Sequence, residues 1–345
     1  MNRKQRRTAA KIDKKQGKKN PAASAADTVV RKAIAAAQAG AFADAERALN
    51  EVLERFPDHV EALHQKGMLL ARTHRVEDGI ALLQRATAQN PGEALYWNNL
   101  SAACLTCDRS EDARTAARKA VELDPKYVMA WRNLAMASGD LGQHRDAVEA
   151  LEKASALAPS DAEVWSRLGL AQLELHDVAR AETAFAKAVA LDPGNAEFRS
   201  NLGVLLAKRG RAGEAVAHLE KAAEVEPDRF TTALHYGIAL ALNGEPAKGL
   251  RWLRRSTSIK PNSDTAWGAL ADAAISAGEI AEALDAANRA ARFAPADPNH
   301  RARLHKLESG AARRSTLIEL DLGTQSSDQT NEPDPSTSLD QIFIR

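Results

Sequence analysis

The sequence is short of several things at once. It holds two cysteines in 345 residues, and aromatic side chains make up only 4%. No apolar run approaches the roughly 18 residues that a membrane-spanning helix needs. Two cysteines cannot staple a small secreted scaffold, and no export signal is legible, so a reducing cytoplasm is the expected compartment. The opening MNRKQRRTAAKIDKKQGKKN is basic, but no apolar stretch follows it, which sets it apart from a secretory leader. Hydrophobic residues reach 44% with so few aromatics, so the apolar content is mostly Ala and Leu. That composition forms helices and is poor in strand formers.

Signatures of catalysis are missing as well. There is no GxGxxG, no GxxxxGK[ST], no HExxH, no GxSxG and no calcium-binding EF-hand loop. The pair Cys104 and Cys107 lacks the second pair that a zinc site of about four ligands would need. A redox pair belongs at a helix N-terminus, where the thiol pKa is lowered. These two fall at the end of a helix and are expected to pack. No catalytic residue, metal or cofactor is expected, and the chain reads as a non-enzyme.

What is present is a ruler. Pro57, Pro91, Pro125, Pro159, Pro193, Pro227, Pro261 and Pro295 follow one another at 34-residue spacing without an insertion. Placing each proline at position 32 gives eight repeats over residues 26–297. Position 4 then holds Trp97, Trp131, Trp165 and Trp267. Position 8 is always Ala, Gly or Ser, and position 20 is Ala or Gly, including Gly79 and Gly249. Small residues at 8 and 20 let two antiparallel helices approach closely, while bulky residues at 4, 7 and 24 fill the space around them. On this pattern Trp131 is expected in the core. Position 15 is Gly in five repeats and His74, Asp108 or His176 in the others, residue types that tolerate a left-handed turn.

A 34-residue helix–turn–helix period with these residues resembles the tetratricopeptide repeat (TPR) family. The resemblance implies an all-α fold: a right-handed α-solenoid of eight 34-residue repeats, closed by a capping helix. Residues 298–314 suit that cap, with Leu304 and Leu307 on one face. The expected organisation is a basic disordered tail over 1–25, repeats over 26–297, the cap over 298–314 and an acidic disordered tail over 315–345. Residues 1–20 carry nine Lys or Arg and one Asp, a local +8 that leaves the rest of the chain at −7.

The family likeness also implies that first helices line a concave groove through positions 2, 5, 6, 9, 12 and 13. Position 6 reads Arg31, Gln65, Asn99, Asn133, Arg167, Asn201, His235 and Ala269. An amide offers both donor and acceptor, matching a peptide backbone unit. The pattern is similar to the asparagine ladder in the TPR region of O-linked GlcNAc transferases, carried best by Trp97–Asn99 and Trp131–Asn133. The MNRKQRR opening looks like that of bacterial TPR proteins, some of them joined to such a transferase domain, for which this chain leaves no room. The likeness to chaperone-binding TPRs fails, because no Lys stands at position 5 and no Asn at position 9. Met68, Met129 and Met136 also fall at groove positions, where flexible thioethers suit varied apolar partners, and Arg132 stands beside them. Alternatively the methionines fill gaps between helices.

The expected function is a non-enzymatic scaffold that binds an extended protein or peptide segment through these residues. An adaptor for nucleic acid or an anionic surface, acting through the basic N-terminus, is the second class. Two further features have bland readings. Lys248, Arg251 and Arg255 around Trp252 read as a solvated outer face, with phosphate or an acidic partner as the sharper possibility. Leu234, Ile238, Leu242 and Ile275 are expected to form an exposed apolar patch, a candidate dock for the chain's own Leu339, Ile342, Phe343 and Ile344.

Overall fold

The computed structural model describes residues 21–320, with side chains over 24–310. Expectations for residues 1–20 and 321–345, including the basic opening and the docking segment near the C-terminus, lie outside the described residues. Among the described residues there are seventeen α-helices and no strand. They divide at Pro159/Ser160 into two compact units. Unit 1 is four helical hairpins: α1 (Pro21–Gln38) with α2 (Phe42–Arg55), α3 (Val60–Arg72) with α4 (Val76–Gln89), α5 (Ala94–Leu105) with α6 (Ser110–Leu123), and α7 (Val128–Asp140) with α8 (His144–Leu157). Unit 2 is four more, followed by a last helix: α9 (Ala162–Glu174) with α10 (Val178–Leu191), α11 (Ala196–Lys208) with α12 (Ala212–Val225), α13 (Phe230–Leu242) with α14 (Pro246–Ile259), α15 (Asp264–Ala277) with α16 (Ile280–Phe293), and α17 (Pro298–Leu320). The fold is all-α, built from helical hairpins at a 34-residue period.

Two boundaries differ from the sequence-based expectation. Helix α1 opens at Pro21, because proline fits the first turn, where its missing N–H would have had no helical partner. Helix α17 continues to Leu320, past residue 314, because the stretch RRSTLIEL contains no Gly or Pro to stop it.

Each hairpin closes on its small residues. A Cβ built on Gly79 would lie 2.6 Å from the carbonyl oxygen of Gly67, and one on Gly249 would lie 2.6 Å from that of Gly237. At those crossings backbone touches backbone. Position 24 then packs on position 8: Phe185 covers Gly169 and Leu219 covers Gly203, with the side chain in each case within 2.7 Å of where a Cβ would stand. In the third repeat Ser101, fully buried, donates from Oγ to the Ala113 carbonyl at 2.8 Å and tightens the same crossing.

The turn and the seam between repeats follow from two further positions. His74, Asp108 and His176 adopt φ of 62°, 55° and 57°, alongside five glycines at position 15. The tryptophans are half-buried at the seam, which corrects their expected place in the core. The reason lies in the indole N–H, which needs a partner. Trp97 and Trp131 Nε1 each donate to the carbonyl of the preceding repeat's proline at 2.9 Å, and Trp267 does so at 2.8 Å. In the sixth repeat Arg199 Nε makes the equivalent bond to Pro193 at 2.6 Å.

Helix α17 packs Leu307 and Leu304 into the apolar cluster of α13–α16. That cluster also contains Leu234 (5% exposed) and Ile238 (2% exposed), so the expected apolar patch on the seventh and eighth repeats is core. The physical cause is Ala269 and Ala273: with so little side chain there, α15 closes over α13. Only Leu242 of the four stands exposed.

Candidate binding face

Position 5, expected to face a groove, is interior in the first three repeats, where Val30, His64 and Asn98 are 1%, 2% and 5% exposed; Arg132 of the fourth is half-buried. Adjacent first helices sit close enough that position 5 of one repeat meets position 6 of the next. Asn99 Nδ2 lies 2.8 Å from His64 Nε2, and Asn133 Nδ2 donates to Asn98 Oδ1 at 3.0 Å and to the Asn98 carbonyl at 3.3 Å. In unit 2, Asn201 Nδ2 reaches Ser166 Oγ at 3.4 Å in the same register. All three contacts span 35 residues. In unit 1 they join into one chain, because Asn98 Nδ2 donates to Asn99 Oδ1 at 3.2 Å. Asn133, at 8% exposure, turns its donor inward rather than toward a partner.

The chain is anchored in the second repeat. The His64 ring stacks on Tyr96 with centroids 4.4 Å apart, and the Tyr96 hydroxyl donates to Glu61 Oε2 at 2.8 Å. Burial pushes the Tyr96 phenol pKa well up and the His64 imidazole pKa down. Gln65 is half-buried and donates to Glu61 Oε1 at 2.8 Å.

Beside this polar chain the first helices of unit 1 leave apolar side chains in solvent. Leu95, Met129 and Met136 are 43%, 47% and 37% exposed. Arg132 Nη1 lies 3.9 Å from Met129 Sδ. Met68, by contrast, packs against the apolar cluster of α4–α6 and acts as a filler. Leu95 and Asn99, one turn apart on α5, and Met129 and Met136, two turns apart on α7, therefore share a side of their own helices, and Met68 is packed away from it. Leu95, His64 and Asn98 are absent from the sequence-based site. The signal that could have found His64 and Asn98 is a polar residue at position 5 immediately before a polar position 6.

In unit 2 Leu170, at the repeat position of Met136, is also exposed at 44%, but the predicted polar residues are taken up. Arg167 Nε donates to Glu163 Oε1 at 2.7 Å, which occupies it along its own helix. His235 is largely buried, and burial, with Lys208 nearby, pulls its pKa down to about 4. On α14, Lys248 pairs with Glu245 and Arg255 with Asp228, as a solvated outer face would. Cys104 is fully buried, its thiol pKa raised to about 11 by desolvation, and Cys107 is half-buried; both are free. A thiol so raised is a poor nucleophile at neutral pH.

One metal-ligand-type group occurs among the described residues: Asp264, Asp297 and His300, whose ligand atoms lie within 4.8 Å of one another. Arg303 Nη1 stands 2.9 Å from His300 Nδ1. Guanidinium is a donor only, so Nδ1 is the acceptor and the neutral ring carries its proton on Nε2. That N–H points at Asp264 (3.4 Å) and Asp297 (3.7 Å). The lone pair that a metal would take is on the wrong nitrogen. Arg303 also grips Asp272 through Nε at 2.7 Å and Nη2 at 2.8 Å. The group fastens α17 to α15.

Among curated proteins, no match to the sequence is found. The fold is similar to that of the anaphase-promoting-complex hetero-tetramer Cut9–Hcn1, with a TM-score of 0.57 and 17% identity, over 77% of this chain and 52% of that one. The chain thus spans about half the length of that relative. A tetratricopeptide repeat protein from Parabacteroides merdae matches with a TM-score of 0.55 and 16% identity over 72% of this chain and 98% of its own. PilF of Pseudomonas aeruginosa matches with 0.53 and 19% over 59% and 93%. Identities this low speak for the fold alone. Family models described as tetratricopeptide repeat match residues 36–104 and 172–239, 132–196 and 250–298, 94–127, and 231–255. With the proline ruler, the glycine crossings and the left-handed turns all in one register, the chain belongs to the tetratricopeptide-repeat family.

Proposed function

We propose that the protein is a non-enzymatic interaction scaffold, and that the first-helix face of unit 1 binds an extended segment of a protein partner. The observation that carries this is the patch of Leu95, Met129 and Met136, each more than a third exposed, next to the half-exposed amide of Asn99. Apolar side chains left in water beside a fixed polar group mark an interaction face. Thioethers adapt to partner side chains of different shape, which suits a site that holds a backbone without reading one sequence. Asn201, Arg167 and His235 of unit 2 take supporting roles in this reading, since their polar groups are occupied or buried. No described helix is long and apolar enough to cross a membrane, and two free thiols fit a reducing compartment such as the cytoplasm.

A photo-crosslinking residue at position 129 tests the proposal. Unstructured peptides derived from the crosslinked segment, present during irradiation, are expected to block capture, and Met136→Glu is expected to abolish it. Equal capture from a crosslinker at Thr183, on the outer helix α10, would overturn it, as would indifference to Met136→Glu.

A further inference from the structure

The amide chain of unit 1 has a direction, set at one end by a group that cannot turn round. At one end Asn133 Nδ2 faces the backbone carbonyl of Asn98 at 3.3 Å, as well as Asn98 Oδ1 at 3.0 Å. A backbone carbonyl only accepts, so Asn133 must present its NH2 group there. Asn98 must then present its oxygen to Asn133 and its NH2 to Asn99, whose oxygen it meets at 3.2 Å. Asn99 is left with its NH2 toward His64 Nε2, 2.8 Å away. Turning any one amide sets two NH2 groups or two oxygens against each other. The sequence of bonds is therefore consistent only if His64 Nε2 is an unprotonated acceptor and the ring proton sits on Nδ1; Gln65 Nε2, 3.5 Å from Nδ1 and already donating to Glu61, is too distant to hold that nitrogen as an acceptor.

We propose that His64 is the positioning residue of this binding face: as a neutral acceptor it locks the amide chain in one direction, so that Asn99 presents a hydrogen-bond donor to a partner carbonyl. The proposal rests on the reading of this face as the binding face. In the locked chain Asn99 Oδ1 is engaged by Asn98 and one Nδ2 hydrogen by His64, so the second Nδ2 hydrogen is the donor it can offer outward. A protonated His64 would set Nε2–H against the Asn99 NH2, and the pinned far end prevents the amides from turning to relieve it. Acidification therefore breaks the lock. The titratable groups facing the ring are Glu61 on its own helix and Glu93 just ahead of α5, which both favour protonation, and the stacked phenol of Tyr96, which stays neutral. Burial at 2% exposure outweighs them and keeps the ring neutral below the usual histidine range.

The test uses the full chain with 15N-labelled asparagine, followed by NMR from about pH 8 to about pH 4, across the ordinary histidine range. The side-chain amide signals of Asn99 and Asn133 are expected to move together, with one midpoint below 6.5. His64→Gln places an amide oxygen where Nε2 stood, so its signals are expected to stay flat while the fold and the bonds are kept. Signals that do not titrate in the wild-type chain would overturn the proposal without any variant. So would movement of Asn99 without Asn133, or the same titration persisting in H64Q. With the crosslinker at position 129, capture is expected to fall at least tenfold on acidification in the wild-type chain and to hold in H64Q. Equal loss in both would overturn the role of His64. No capture from either at any pH would overturn the binding-face reading alone, and the amide titration still decides the lock.

Discussion

At the scale of single residues, the histidines show how burial rewrites chemistry. His235 has a pKa of about 4 in the folded chain against 6.5 when unfolded. Between those values the unfolded state holds more protons, so stability falls as pH drops from about 6.5 toward 4 and levels off below. At about 1.4 kcal/mol per unit the loss is on the order of 3 kcal/mol, and His64 adds to it with the same sign. Denaturant midpoints measured through that window are expected to fall, and His235→Gln to flatten part of the slope; a midpoint unmoved between pH 7 and pH 5 would refute this. The left-handed His74, Asp108 and His176 were legible in the sequence, because position 15 repeats in register with five glycines. The partners of His64 were not. They lie 35 residues away, and their meeting depends on the offset between neighbouring helices rather than on any local pattern.

At the scale of the helix, two glycines predict opposite outcomes for the same substitution. Gly79→Ala drives a methyl to 2.6 Å from the Gly67 carbonyl, against backbone that cannot step aside, and is expected to cost about 1–3 kcal/mol. Gly139→Ala, in α7 with nothing within 4 Å, is expected to stabilise by about 0.5–1 kcal/mol. Thermal melting of the two variants checks both signs. Helix α17 gives a third case. Arg303→Leu leaves Asp272 without its bidentate partner, and the expected cost is about 2–4 kcal/mol, less than for a fully buried pair because Asp272 is 23% exposed. Hydrogen exchange is expected to rise in α15 and α17 first; unchanged protection there would count against the fastening. The apolar pattern revealed Leu304 and Leu307 but not Arg303 and His300, since hydrophobic periodicity is blind to a charge that is buried because it is paired. The same blindness to neighbours made Leu234 and Ile238 look like a surface.

At the scale of the whole chain, charge and period lead to different tests. Residues 1–20 concentrate +8 in an otherwise acidic chain. If polyanions bind there, RNA affinity is expected to fall steeply with salt and to collapse on deletion of that segment; a flat salt response would end that alternative. The period has a longer reach. Every bond of the position 5 to position 6 kind spans 35 residues, one more than the repeat. Excising residues 94–127 therefore brings Asn133 onto His64, with the same NH2-to-imidazole bond that Asn99 makes now. The shortened chain of seven repeats is expected to fold with that bond intact, and loss of cooperative melting would show otherwise. Duplication in the same frame adds a link rather than a defect. A gene that gains or loses whole repeats can thus change the length of its protein by recombination alone, with no compensating mutation at the joint.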